Sequence, residues 1–128
     1  MTESTLTATV QYIDGMAFQA DTGSGHSFAL DTAQEVGGAD RGPRPMEMLL
    51  VGLGGCTGMD VISILRKMRQ DVIDYRIHVR GERAGDHPKV FTTIVVEHVV
   101  RGRGLNPESV RHAVELSANR YCSAAGRW

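Results

Sequence analysis

Cys56 and Cys122 are the only cysteines in this 128-residue chain, and they carry its most informative chemistry. Cys56 stands in Gly54-Gly55-Cys56-Thr57-Gly58, and Cys122 in Tyr121-Cys122-Ser123-Ala124. Two cysteines with no CxxC spacing are too few for a disulfide scaffold. Each reads either as a small buried hydrophobe or as one half of a transient thiol pair. Bridging would require their Cα atoms to come within about 7 Å. A reactive thiol acts as its thiolate, whose ordinary pKa is about 8.5, so it needs a cation nearby. Arg41 and Arg44 precede the segment carrying Cys56 and could fold back over it, or could be solvated loop arginines. Glu47 follows on the first turn of that segment. It either favours the positive end of a helix or orients an arginine over the thiol by a bidentate pair. Asp60, one turn after Cys56, would raise the thiol pKa if it faced it, so it is expected to point elsewhere or to be paired.

Other motifs are weaker. The five histidines, His26, His78, His87, His98 and His112, fall in no metal-ligand pair, so neither a metal nor a cofactor is expected. The glycine-rich stretch around Cys56 lacks the GK[ST] ending of a phosphate loop and follows a helical turn rather than a strand. Arg101-Gly102-Arg103-Gly104 reads as a solvated turn. Fourteen basic and fifteen acidic residues give a formal charge of −1, which offers no electrostatic reason to bind nucleic acid or an anionic membrane. No apolar run approaches the roughly 18 residues of a membrane span. The N-terminus lacks the pattern of a signal peptide, so a cytoplasmic protein with reduced thiols is expected.

The elements that must position these residues follow from periodicity. Thr5 to Ile13 alternates, with Leu6, Ala8, Val10 and Tyr12 in one phase. Asp14-Gly15 signals a type I′ hairpin, and Gly23-Ser24-Gly25 a second turn before His26 to Leu30. Three short antiparallel strands result. Thr32 to Arg44 is a polar connection. Met46 to Gln70 reads as a long helix with Leu49, Leu53, Cys56, Asp60, Ser63 and Lys67 on one face. Gly52, Gly54, Gly55 and Gly58 each cost that helix about 1 kcal/mol relative to Ala. They imply close approach of another helix or chain, exposed backbone, or a break near Cys56. In a second β region Ile73, Tyr75, Ile77 and Val79 share a phase, Gly85 to Pro88 turns, and Val90 to Val100 is rich in β-branched residues. Asn106-Pro107-Glu108 starts a second helix, whose small-residue stripe runs through Val110, Ala113, Val114, Ser117 and Cys122. The order βββ-α-ββ-α is an α+β pattern in one domain.

Pro45-Met46-Glu47-Met48-Leu49-Leu50 leading into Gly54-Gly55-Cys56, then Asp60-Val61 and later Tyr121-Cys122-Ser123, resembles the OsmC/Ohr family, most closely its OsmC-like branch. The element order matches over nearly the whole of residues 1–128. The resemblance implies an OsmC-like fold, with antiparallel sheets and two main helices in an intertwined homodimer. It implies a thiol-dependent hydroperoxide reductase of the oxidative or osmotic stress response. Cys56 would be the peroxidatic thiol and Cys122 the resolving one. The partners would be an organic hydroperoxide and a dithiol reductant. Two departures stand out. Met46 occupies the place where active members carry a glutamate, so Glu47 lies one residue on, about 100° around a helix. No arginine precedes Arg41, so Arg41 or Arg44 would have to supply the cation. These departures open an alternative, a small-molecule-binding or redox-sensing dimer on the same fold. The chain reaches Trp128 without the strand that the resemblance implies after its second cysteine.

Overall fold

A computed structural model describes residues 5–118 of the chain. It contains β1 (Ala8–Asp14), β2 (Ala17–Thr22), β3 (Ser27–Leu30), a single 3-10 turn (Gln34–Val36), α1 (Pro45–Lys67), β4 (Asp71–Arg83), β5 (Phe91–Arg103) and α2 (Pro107–Leu116). The order is the α+β order expected from periodicity. These elements fall into two compact units that divide between Met48 and Leu49.

In the first unit, β1, β2 and β3 form one antiparallel sheet in that order. The β1–β2 loop differs from expectation. Asp14 pairs with Ala17, so the two loop residues are Gly15 and Met16. Of these only Gly15 has a positive φ, +56°. Glycine at the first central position is the mark of a type II′ turn, not the expected type I′. The cause is a bulge at Ile13, between the pairs Tyr12–Phe18 and Asp14–Ala17, which moves the register by one residue.

The polar connection after β3 is organised by one buried carboxylate. Asp31 Oδ1 accepts from the Thr32 N–H at 2.7 Å. Its Oδ2 accepts from the backbone N–H groups of Ala39 and Arg41, each at 3.2 Å. Arg41 Nε donates to the same oxygen at 3.3 Å. These bonds close residues 31–41 into a loop around the acid. They hold the Asp31 carboxyl below the usual carboxylate range, the Thr32 N–H contributing most and burial opposing.

The second unit sets α1 and α2 against the β4–β5 hairpin. Val61, Leu65 and Ala113 are fully buried, and Ile64, Val72, Tyr75, Val100, Val110 and Val114 pack around them. Burying side chains the size of Val61 and Leu65 contributes about 1.5–3 kcal/mol each. The buried side of α1 comprises Leu53, Gly54, Thr57, Gly58, Val61 and Leu65. This face is rotated from the expected one: Leu49, Ser63 and Lys67 are exposed, and Cys56 and Asp60 only half-buried. The glycines explain the rotation. A Cβ at Gly54 would lie 3.0 Å from Val79 Cγ2, and one at Gly58 would lie 2.5 Å from Ile77 Cδ1. Strand β4, not another helix, is what comes close. By contrast, a Cβ at Gly52 or Gly55 would meet nothing within 4 Å among the described residues.

α1 is also long and apolar enough to cross a membrane by length and composition alone. The expectation that nothing of that length is apolar enough is therefore corrected. Within Met48–Leu65 the single charge is Asp60, and the interspersed small residues, which break up any bulky run, leave the average apolar. Its contacts with β4 and α2 make it the core helix of the second unit.

Further boundaries move for local reasons. α1 ends at Lys67, short of the expected Gln70, because Arg69 is left-handed (φ +59°). The Gln70 N–H then turns back to the Leu65 carbonyl at 3.0 Å. In β4, Ile73 is exposed and Val72 faces inward, because a bulge between Val72 and Asp74 shifts the phase ahead of Tyr75, Ile77 and Val79. Arg101-Gly102-Arg103 is strand rather than turn, and β5 pairs as far as Asp71–Arg103. The N-cap of α2 is as expected: Asn106 Oδ1 accepts from the Glu108 N–H at 2.9 Å, with Pro107 opening the helix.

Two outcomes follow. At Gly102 a Cβ would lie 2.1 Å from the Asp71 carbonyl oxygen, so Gly102→Ala must move backbone and should lower unfolding stability by about 2–3 kcal/mol in urea titrations. The depressed Asp31 pKa contributes stability that is present above the ordinary value near 3.9 and lost as pH falls through the folded value. Urea midpoints should therefore drop more for wild type than for Asp31→Asn as pH is lowered from about 5 to about 3. Asp31→Asn should already be the less stable protein at pH 7.

Candidate thiol site

Cys56 is half-buried on α1. It stands at the seam between the packed face and an opposite, exposed face on which Leu49, Val51, Gly52, Gly55, Met59 and Ser63 are uncharged and Arg66 in the last turn carries the charge. Met59 is 75% exposed and Val51 61%. A thiol at this seam has apolar surface on one side and accessible helix backbone on the other.

The next residue, Thr57, turns into the packed face and meets α2. Thr57 Oγ1 and Ser117 Oγ lie 2.7 Å apart, both buried. The Ser117 hydroxyl also reaches the Thr57 carbonyl at 3.4 Å. Ser117 is the residue that ends α2. This polar tie is set among Val61, Leu65 and Ala113, where an unpaired hydroxyl would cost about 1–3 kcal/mol. Neither residue is identified as a site residue by sequence alone. The only signal was Ser117 within the small-residue stripe, and nothing marked Thr57 as its partner. Cys122 lies outside the described residues.

Arg41, Arg44 and Glu47 belong to the first unit. Arg41 Nη2 donates to Asp14 Oδ1 at 2.5 Å, in addition to its bond with Asp31. The Asp14 bond is the main reason its pKa is raised. Arg44 Nη1 donates to Asp40 Oδ1 at 2.5 Å. Asp40 dominates the upward shift of Arg44, and the charges of Glu47 and Glu35 add to it. Asp31 was missed in the sequence, where it reads as one more polar residue after a strand.

Asp60 was expected to point away from Cys56 or to be paired. Its Oδ2 is buried and has no hydrogen-bond partner among the described residues. A second polar pair lies on the inner face of the hairpin. Tyr75 Oη and His98 Nδ1 are 2.6 Å apart with near-parallel rings. Burial pushes Tyr75 up to about 12 and His98 down. Among the described residues, no three His, Cys, Asp or Glu side chains converge as a metal site would need.

Comparison with known proteins gives a consistent picture. The model of the family described as OsmC-like protein matches residues 37–126. Protein YhfA of Escherichia coli (strain K12) is 42% identical over 118 residues, covering 92% of this chain and 85% of YhfA. Among solved structures, a hypothetical protein from Aquifex aeolicus VF5 superposes with a TM-score of 0.84 at 31% identity, covering 97% of this chain and 86% of that one. The organic hydroperoxide resistance protein OhrB of Bacillus subtilis shares the fold, with a TM-score of 0.62 at 20% identity, covering 95% of this chain and 88% of that one. The match to the family model runs from the loop before α1 through both cysteine segments, and on these grounds the chain belongs to the OsmC-like protein family.

Proposed function

We propose that the protein is a thiol-dependent reductase of organic hydroperoxides, with Cys56 as the attacking thiol and Cys122 as the resolving one. The observation that carries this reading is the placement of Cys56. It sits at the seam of α1, beside the buried Thr57–Ser117 tie that anchors the chain five residues before Cys122. Five residues span at most about 17 Å when extended, so the reach needed for a disulfide is available. The organic hydroperoxide resistance named for OhrB, on the same fold, supports the substrate class.

The chemistry balances. The Cys56 thiolate attacks the terminal oxygen of ROOH and the O–O bond breaks. The alkoxide leaves and takes a proton as ROH, and Cys56 becomes a sulfenic acid. The Cys122 thiol displaces hydroxide from that sulfur, releasing water and forming a disulfide. An external dithiol reduces it by exchange and is itself oxidised. Arg41 and Arg44 are the candidate cations that would hold Cys56 ionised, with Glu47 orienting the guanidinium. No cofactor enters these steps. A role in oxidative or osmotic stress defence, in a reducing cytoplasm, follows from this chemistry.

The functional unit is proposed as a homodimer joined through the exposed face of α1. Among the described residues nothing lies within 4 Å of a Cβ at Gly52 or Gly55, and glycines in a helix cost stability without a return unless something packs there. The buried Asp60 oxygen on the border of that face, without a hydrogen-bond partner among the described residues, is a second group that a neighbouring chain would satisfy. A specific observation favours one other reading. Arg41 is held by two aspartates and Arg44 by a third, an arrangement that suits a redox-sensing or small-molecule-binding dimer without turnover.

With cumene hydroperoxide or hydrogen peroxide and an excess of dithiol, wild type should consume many equivalents of peroxide. Cys56→Ser should fall to background. Without dithiol, Cys122→Ser should consume one equivalent per chain and leave a Cys56 sulfenic acid that dimedone traps. Stoichiometric oxidation of wild type without turnover would select the sensing reading, and no consumption with either peroxide across several dithiols would overturn the enzyme. Sedimentation at about 10 μM should give a dimer for wild type and a monomer for the Gly52→Leu, Gly55→Leu double variant, whose added side chains fill the proposed contact. A monomeric wild type would refute the dimer.

A further inference from the structure

Arg101 and Arg103 take no part in the thiol site, yet the fold sets them beside three more cations. Both are exposed on β5, where Asp74 pairs with Arg101 and Asp71 with Arg103. β4 begins at Asp71, just after α1, whose last turn carries Arg66 and Lys67. The left-handed Arg69 lies in the turn between them. The Gln70 side chain accepts from the Asn106 N–H at 2.9 Å and ties the α1–β4 turn to the β5–α2 turn. Arg66, Lys67, Arg69, Arg101 and Arg103 therefore gather at one end of the second unit, and all five are exposed.

Five cations stand there with two carboxylates, a local excess of +3 in a chain whose formal charge is −1. Among the described residues, ion pairs engage Arg41, Arg44 and Arg111 and none of these five. Glu108, the next acid along the chain, is engaged with Arg111. Cations in the last turn of a helix complement its dipole, which accounts for Arg66 and Lys67 but not for two arginines on a strand. Like charges this close repel, because the screening length is about 10 Å at 0.1 M salt. An anionic surface would relieve that repulsion. Asp71 and Asp74 favour a protein as its source. They would repel a continuous phosphate backbone, whereas a protein can set carboxylates against the arginines and a cation against the aspartates. The patch also shares a helix with the thiol. Arg66 follows Cys56 by ten residues, about 15 Å along the axis of α1. A partner domain of about 100 residues has a radius of gyration near 13 Å, so one seated on the basic end extends as far as Cys56.

We propose that this basic end of the second unit is the docking surface for the protein that carries the reducing dithiol, and that this reductant presents an acidic surface to it. The inference deepens the peroxidase reading and rests on it for the partner's role. Electrons pass by thiol exchange: the partner's two thiols end as its disulfide, and Cys56 returns from its oxidised form to the thiol. The cations do not touch the peroxide. They bring the reductant to the oxidised protein and leave the chemical steps alone.

The probes are synthetic dithiol peptides with one Cys-Gly-Pro-Cys core and a tail of glutamates, glutamines or lysines. With their thiols alkylated, binding to the full chain is followed by fluorescence anisotropy. In low salt the glutamate peptide should bind at least about tenfold tighter than the glutamine peptide, and the advantage should vanish near 0.5 M salt. Arg101→Gln with Arg103→Gln, two exposed positions, should remove most of that advantage. Arg80→Gln with Lys89→Gln, the same change of charge at the far end of the hairpin, should stay within about twofold of wild type. With free thiols as the reductant in peroxide turnover, kcat/KM for the glutamate peptide should fall in the Arg101, Arg103 variant as binding does, while turnover with dithiothreitol is unchanged. Equal binding of the three peptides, or a loss of affinity as large in the far-end variant, would overturn the docking surface. So would tighter binding of a duplex DNA of the same charge, which would assign the patch to nucleic acid. Patch-dependent binding with no effect on kcat/KM would overturn the reductant as the partner. All of these leave the peroxidase reading standing, whereas absence of turnover with dithiothreitol and every peptide would overturn that reading and the partner's role with it.

Discussion

The close approach of β4 to one side of α1 is the constraint from which the second unit follows. Only a helix without side chains at residues 54 and 58 lets Val79 and Ile77 come so near. That approach decides which arc of the helix is buried, and so leaves Cys56 at the seam instead of in the core. A bulkier residue at either glycine would push the strand away and turn the thiol toward a different neighbour. The same helix carries two further glycines, Gly52 and Gly55, that no described residue covers. α1 is thus closely packed along one side and bare along the other, and the thiol lies between.

Polar groups do the finer positioning in both units. In the second, one hydroxyl pair ties α1 to α2 inside an apolar contact. In the first, one carboxylate gathers three backbone N–H groups and a guanidinium, and so shapes the loop that carries Arg41. In each case a buried polar group is tolerable only because its partners are in place, and the cost of losing them makes the geometry specific. The charges that a thiol chemistry would use are therefore not loose loop arginines. Arg41 is held by Asp14 and Asp31, and Arg44 by Asp40.

This bears on how a family fold can hold different chemistry. The fold is shared with OhrB at 20% identity, a level at which only the architecture is common. Under the proposed reading, Glu47 and the arginines of the loop before α1 would supply the electrostatic half of the site, and Cys56 and Cys122 the thiol half.

Much of this architecture was legible from local patterns. Alternation in β1 to β5, Asn106-Pro107 at the start of α2 and the long apolar helix each depend on residues close together in the chain, and each had the right type and approximate place. The errors came where neighbours distant in sequence intervene. Bulges at Ile13 and near Val72 are register adjustments between paired strands, invisible in either strand alone. The buried arc of α1 was chosen by β4, the role of Asp31 by amide groups eight to ten residues later, and the partnership of Thr57 with Ser117 by the packing of two helices sixty residues apart. Local order along the chain reports backbone preference and amphipathic period. Which side of an element is buried, and which polar atoms meet, is decided by close packing and the need to satisfy buried hydrogen-bonding groups, and both act only once the chain has folded.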